Sequence, residues 1–99
     1  MRNYELTPRA VRDMNAAMDW YQAQRPDLAN AFFDSVLVAI RRARETPTQF
    51  AEVEPAIRAV GCRRFPYRVY FEMLPELIVV RAVYHTSRDP IHWADEDRC

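Results

Sequence analysis

Residues 65–85 have the sequence FPYRVYFEMLPELIVVRAVYH, which contains the clearest structural pattern of this 99-residue chain. The stretches 67–73 and 77–85 are rich in aromatic and β-branched side chains, which favour extended structure. Between them, Leu74-Pro75-Glu76 has the composition of a turn. These residues therefore predict a β-hairpin.

The residues that precede this hairpin predict a short strand followed by two helices. After an extended stretch at residues 4–7, Thr7 is a good helix N-cap and Pro8 suits the first helical position. Apolar side chains then recur at three- and four-residue steps over residues 8–24 and again from Leu28 to Ala43. Arg25-Pro26 separates the two stretches, because proline disfavours helical geometry in the residue before it. We expect two antiparallel helices joined by a very short turn.

Residues 47–55 are expected to form a loop, and residues 57–64 a further strand. That strand contains the only glycine, Gly61, where a bulge or a close approach by another backbone is the usual reason for the residue. The predicted fold is α+β: an N-terminal strand and an antiparallel helical hairpin packed on one face of a mainly antiparallel sheet of three to four strands. A chain of this length builds one modest core, so residues 1–99 are expected to form a single domain.

The charged residues are balanced in number but not in distribution. The chain has 14 basic and 14 acidic residues, and every basic residue is an arginine. Residues 57–88 contain six arginines and only two glutamates, so we expect the C-terminal part to present a basic surface. Guanidinium groups are suited to carboxylate and to phosphate, which leaves an acidic protein or a nucleic acid as the partner.

The sequence contains no pattern typical of export, membrane insertion or cofactor binding. The N-terminus does not resemble a signal peptide, and no apolar run is long enough to cross a bilayer, so we expect a cytoplasmic protein. Cys62 and Cys99 form no metal-binding spacing, and no phosphate-binding glycine loop is present. We expect no metal and no cofactor, and we expect Cys62 to be a small buried side chain.

Strand alternation selects the candidate catalytic residues. Arg68 points away from the side of its strand that carries Val69 and Phe71, the side expected to face the helices. Simple alternation would place Arg81 and His85 beside Arg68 on the open face. Such a group suits RNA cleavage, in which a histidine transfers protons and arginines stabilise the charged phosphate. The alternative is structural: the arginines pair with acids such as Glu72, and His85 only ends its strand.

Several motifs together resemble a known family. They are YELTPRA at residues 4–10, Trp20-Tyr21 before Arg25-Pro26, FPYRVY at residues 65–70, and AVYH at residues 82–85 leading to Arg88-Asp89-Pro90 and Trp93. Their order and spacing over nearly the whole chain resemble the RelE/ParE superfamily of toxins, and in particular its ParE-like, or plasmid-stabilisation, branch.

The resemblance implies the toxin of a type II toxin–antitoxin system. Its partner would be a ParD-like antitoxin, whose C-terminal segment wraps the toxin and whose N-terminal part dimerises and binds operator DNA. The toxin would then meet DNA only indirectly, through the antitoxin. RelE-like members of the superfamily cleave mRNA in the ribosomal A site, whereas ParE-like members are associated with inhibition of DNA gyrase and are not known to need nuclease chemistry.

The charge pattern favours the gyrase branch of this resemblance. Ribosomal nucleases of the superfamily are generally strongly basic, whereas the predicted loop here contains Glu52 and Glu54. We therefore expect a protein inhibitor of DNA gyrase, and the alternatives are a ribosome-dependent mRNA endoribonuclease of RelE type or a non-toxic interaction module. The residues expected to contact gyrase are Arg68, Arg81, Arg88 and Trp93. In the nuclease alternative, the catalytic residues would be His85, Arg68 and Arg81.

Overall fold

The computed structural model describes residues 1–87, which form two helices and one mixed sheet. The elements in chain order are β1 (Asn3–Leu6), α1 (Pro8–Gln24), α2 (Pro26–Glu45), a 3-10 turn (Pro47–Gln49), β2 (Glu52–Glu54), β3 (Ile57–Gly61), β4 (Tyr67–Met73) and β5 (Leu77–His85). The strand order is β1-β5-β4-β3-β2, and only the β1–β5 pair is parallel. The predicted α+β fold is confirmed, with five strands instead of three or four.

The additional strand is β2, which lies at one edge of the sheet. The sequence predicts a loop at residues 52–54, and this prediction is wrong because Glu52–Glu54 pairs antiparallel with β3. All three β2 side chains are exposed, and glutamate is depleted in strands, so neither burial nor propensity marks the segment in the sequence. Its pairing comes from the turn at Pro55-Ala56, which folds β2 back against β3.

The helical hairpin forms as the sequence predicts. The side chain of Thr7 caps α1 by accepting a hydrogen bond from the backbone N–H of Ala10 at 3.2 Å. Arg25 is extended, with φ −166°, and serves both as the C-cap of α1 and as the N-cap of α2. The connection is therefore a single residue, because Pro26 already occupies the first turn of α2.

The core lies between the helical hairpin and one face of the sheet. Buried α2 side chains such as Phe32 and Ile40 pack with Val69 and Phe71 of β4. Fully burying one such side chain stabilises the fold by about 1.5–3 kcal/mol. No polar or charged residue is buried among the described residues. Neither described helix is both long and apolar enough to span a membrane.

A β-bulge in β5 changes which side chains face the helices. Tyr70 pairs with Ala82 whereas Phe71 pairs with Val80, so Arg81 is an extra residue in β5. Val80 faces the core before this irregularity, and Val83, three residues later, faces the core after it. The prediction that Arg81 and His85 lie on the same face of the sheet is therefore wrong.

Gly61 occupies a regular strand position and needs no glycine-specific explanation. It pairs with Arg68 in the uninterrupted β3–β4 register, and a Cβ placed on it would meet nothing within 4 Å. The expected bulge or close approach at Gly61 is not found. Within residues 1–87, positive φ angles occur instead at two residues that carry side chains, Ala56 (68°) and Arg64 (75°).

Candidate functional site

The open face of the sheet carries Arg68 and Arg81, as expected. Arg68 is exposed on β4 and lies opposite Tyr84 of β5. Arg81 forms an ion pair with Glu72 of β4, which places both side chains on the same face as Arg68.

The charge of Arg81 is largely compensated by this ion pair. The two side chains retain 22% and 28% of their accessible surface, so solvent screens them only partly. A partner would have to compete with Glu72 for the Arg81 guanidinium, whereas Arg68 forms no ion pair within residues 1–87. Of the two, Arg68 is the more accessible charge for a partner.

His85 lies on the opposite side of the sheet from Arg68. It pairs with Tyr67, whose side chain belongs to the core, and the two rings meet edge to face with centroids 5.1 Å apart. The Nδ1 atom of His85 accepts the backbone N–H of Ser87 at 3.1 Å. Because that bond needs an unprotonated Nδ1, the neutral ring carries its proton on Nε2.

His85 lines a groove of about 600 Å³ between α1 and the end of β5. Trp20 forms part of its wall, is 59% exposed and meets Tyr21 edge to face. The side chain of Asp13 holds α1 against β5, because its Oδ2 atom accepts the backbone N–H of Val83 at 3.1 Å. The groove is therefore bounded by fixed elements on both sides.

The structure does not bring the three proposed nuclease residues together. Arg68 and Arg81 lie on the open face, and His85 lies on the helix-facing side in the groove. A general base must come within hydrogen-bond reach of the proton that it removes, while the arginines contact the same phosphate. The expectation that His85 shares a face with the arginines is wrong. The bulge at Arg81 places His85 on the other side of the sheet.

The β3–β4 loop presents two arginines that the sequence indicates only as part of the charge excess of residues 57–88. Arg63 and Arg64 are exposed and precede the buried Phe65. The Arg64 guanidinium lies over the Phe65 ring, 5.4 Å from its centroid. The only sequence signal for this surface is the Arg63-Arg64 pair just before an aromatic residue, which by itself does not distinguish a binding surface from a solvated loop.

A second charged group lies close to this loop. The Arg25 guanidinium, which is hydrogen-bonded to Asp27 at 2.9 Å, holds the pKa of that carboxyl below its usual value, and Arg64 contributes to the same effect. The turn between the helices and the β3–β4 loop are therefore near one another at one end of the molecule.

Cys62 is free and packs against the core, but it is half-buried and lies directly after β3, so the expectation of a buried side chain is met only in part. Burial raises the pKa of its thiol to about 11, and the hydrogen bond with Ser35 opposes that rise. The thiol is therefore protonated near neutral pH and is a poor nucleophile or metal ligand. No group of side chains within residues 1–87 has the composition of a metal site.

Two expected contact residues, Arg88 and Trp93, lie outside the described residues, as does Cys99. Arg68 and Arg81 are thus the only members of the predicted contact set whose positions the structure describes. The end of the described chain lies next to the β3–β4 loop, because the backbone N–H of Thr86 donates to the carbonyl of Pro66 at 2.8 Å.

A helical hairpin covering one face of a five-stranded sheet, with arginines on the open face and in the adjoining loop, defines a small α+β protein. The family model of the ParE toxin of the type II toxin–antitoxin system, parDE, matches residues 4–90, and the chain therefore belongs to that family. This confirms the resemblance that the sequence motifs indicate.

Among solved structures, the chain is similar in fold to a chain of the chromosomal ParDE TA system from P. aeruginosa. The TM-score is 0.76 at 19% sequence identity, and the match covers 88% of this chain and 98% of the other. A search of curated protein sequences found no match.

Proposed function

We propose that this toxin acts in the cytoplasm by inhibiting DNA gyrase through protein contacts and is neutralised by a ParD-like antitoxin. In this proposal DNA is met only indirectly, through the antitoxin. The observation that carries the proposal is the separation of His85 from Arg68 and Arg81 on opposite sides of the sheet. A mechanism based on contact needs exposed charge and does not need a proton-transfer group beside it.

The proposed contacts with gyrase are Arg68, Arg81, Arg88 and Trp93. Arg68 supports this role because it is exposed and forms no ion pair within the described part of the chain. Arg81 would contribute only after exchanging Glu72 for a group on the target. Arginine and tryptophan are the residue types that most often dominate the energetics of protein interfaces.

The first test compares two single substitutions in cells that express the toxin without an antitoxin. We expect His85→Gln to retain growth inhibition, because glutamine keeps a hydrogen-bond acceptor for Ser87 and the proposal assigns no proton transfer to His85. We expect Arg68→Gln to weaken inhibition about threefold to fivefold, as for the loss of one exposed charged contact. Growth curves over a range of inducer concentrations measure both effects.

Thermal melting of both purified variants is the control, because neither change should unfold the protein. Loss of toxicity in a folded His85→Gln variant would contradict the proposal and support the ribosome-dependent nuclease. Co-expression of the protein encoded in the neighbouring reading frame tests the antitoxin assignment, and we expect it to restore growth.

A further inference from the structure

A polar hollow of about 530 Å³ lies where the start of β1, the end of α2 and the β4–β5 turn meet. Arg2, Arg44 and Glu76 are among the residues that line it. The hollow lies at the start of β5, whereas His85 and the position paired with Arg68 lie at the end of that strand. It is therefore separate from the groove at His85 and from the exposed charge of Arg68.

The guanidinium group of Arg44 is held in place by the chain around β1. Arg44 lies in the last turn of α2, and its Nε atom donates to the main-chain carbonyl of Arg2 at 2.7 Å. The same group lies over the ring of Tyr4, 5.1 Å from its centroid. Within residues 1–87, the two terminal nitrogens of Arg44 make no hydrogen bond and no ion pair.

Arg2 is held in the same way by the β4–β5 turn. Its Nε atom donates to the main-chain carbonyls of Leu74 and Pro75, both at 3.1 Å. Its terminal nitrogens likewise make no hydrogen bond or ion pair in the part of the chain that the structure describes. Each arginine thus uses Nε for a main-chain contact and keeps its terminal N–H groups available for a ligand, with little further freedom to lose on binding.

The acidic residues that line the hollow do not neutralise these two arginines. Glu45 is ion-paired with Arg41 at 2.9 Å, and Glu76 forms no ion pair among residues 1–87. The C-terminal end of a helix favours one positive charge, which accounts for Arg44. It does not account for the second guanidinium group, that of Arg2, because like charges repel one another. The pair therefore lacks a counter-anion within the described chain.

We propose that this hollow binds the dianionic phosphate of a small phosphate monoester, with Arg2 and Arg44 donating to its oxygens. Such a phosphate carries up to about two negative charges and three acceptor oxygens, enough to accept paired hydrogen bonds from two guanidinium groups. A carboxylate or a phosphodiester carries a single charge and would leave the second arginine uncompensated. The volume of the hollow is typical of small-molecule sites, so there is room for the group that carries the phosphate.

The test uses the full chain and two probes of nearly the same shape, phenyl phosphate and phenyl sulfate. At about pH 8 the phosphate has lost its second proton and is a dianion, whereas the sulfate is a monoanion. Isothermal titration calorimetry measures both affinities. We expect phenyl phosphate to bind about fivefold more tightly than phenyl sulfate, because only the dianion compensates both arginines.

Single substitutions assign the binding to the hollow. Arg2→Gln and Arg44→Gln should each bind phenyl phosphate about fivefold more weakly. The matched control is Arg12→Gln, which removes the same charge from an exposed position on α1 outside the hollow and should bind as the wild type does. Glu76→Gln should bind about twofold to threefold more tightly, because it removes a lining carboxylate that repels the ligand.

Thermal melting of each variant checks that it is folded. Arg2→Gln and Glu76→Gln keep the test valid even if Arg44→Gln unfolds, because the carbonyl that accepts the Arg44 bond belongs to the main chain of residue 2. Equal affinity for the two probes would overturn the proposal, as would wild-type affinity in folded Arg2→Gln or weaker binding in Glu76→Gln. An equal loss in Arg12→Gln would show an effect of net charge alone and would also overturn it.

Discussion

The thiol of Cys62 lies directly after β3 and packs against the core without being fully enclosed. Burial raises its pKa to about 11, because the low-dielectric surroundings disfavour the thiolate, and the Ser35 hydrogen bond offsets part of the effect. The folded-state pKa therefore lies above the value of 9.0 for an unperturbed thiol. The stability that this group contributes is present below pH 9 and is lost as the pH rises towards 11.

Alkylation of Cys62 measures this shift directly. In a Cys99→Ser variant, we expect the rate of reaction with iodoacetamide to follow a titration centred near pH 11 in the folded protein. In urea, the same thiol should titrate near 9.0. A folded midpoint at or below that in urea would contradict the described burial.

Residue type predicts some environments well and others poorly. The exposure of Arg68 follows from alternation within β4. Cys62 was expected to be buried within a strand, whereas it is half-buried directly after β3. The positive φ of Arg64 has no sequence signal, because arginine has no preference for that region. That conformation comes from the closure of the loop between Cys62 and Tyr67.

The bulge in β5 lies where β1, α1 and β5 meet, and Thr7 contacts both α1 and β5 there. The hydroxyl of Thr7 accepts the N–H of Ala10 at 3.2 Å and donates to the Arg81 carbonyl at 3.1 Å. The backbone N–H of Thr7 donates to the Val80 carbonyl at 3.0 Å. One residue thus caps α1 and also satisfies the backbone of β5 where the extra residue interrupts its pairing.

Removal of this hydroxyl should destabilise the whole domain. We expect Thr7→Ala to lower the free energy of unfolding by about 1–2 kcal/mol, because the helix cap is lost together with the bond to Arg81. For a chain of this size, each kcal/mol corresponds to roughly 4–8 °C in Tm. Urea denaturation and thermal melting both report the change.

Thr7→Ser is the matched control, because serine retains the hydroxyl and caps helices at least as well as threonine. Its free energy of unfolding should stay close to that of the wild type. An equal loss in Thr7→Ser and Thr7→Ala would assign the effect to the threonine methyl group instead of the hydrogen bonds.

The helices could be predicted from the sequence because their signals are local. Thr7-Pro8 and Arg25-Pro26 mark the starts of α1 and α2, and the apolar spacing identifies the buried side of each helix. The bulge at Arg81 could not be predicted, because it depends on how β5 pairs with β4 and not on a property of β5 alone. One extra residue was enough to move His85 from the predicted face to the other.

The two faces of the sheet have different chemistry. The helix-facing side ends in an aromatic groove that contains His85, and the open side carries Arg68 and the Arg81–Glu72 ion pair. Membership of the ParE toxin family and the separation of these groups support inhibition by contact. The zero net charge of the chain is consistent with a protein target, because strong attraction to nucleic acid needs an excess of positive charge.

The sequence predicted only part of the candidate site. The sequence identified Arg68 and Arg81 as residues of the open face, and the structure places both there. The sequence leaves open the alternative that the arginines pair with acids such as Glu72, and the structure shows this pairing for Arg81. The ion pair depends on the register between the neighbouring strands β4 and β5, in which Arg81 is the extra residue.

The most direct test is a supercoiling assay with purified DNA gyrase and the purified toxin, run beside a translation reaction that reports mRNA cleavage. We predict that the wild-type toxin and His85→Gln inhibit supercoiling equally, that Arg68→Gln inhibits about threefold to fivefold more weakly, and that mRNA stays intact. Uninhibited supercoiling together with mRNA cleavage that disappears in His85→Gln would contradict the proposed function.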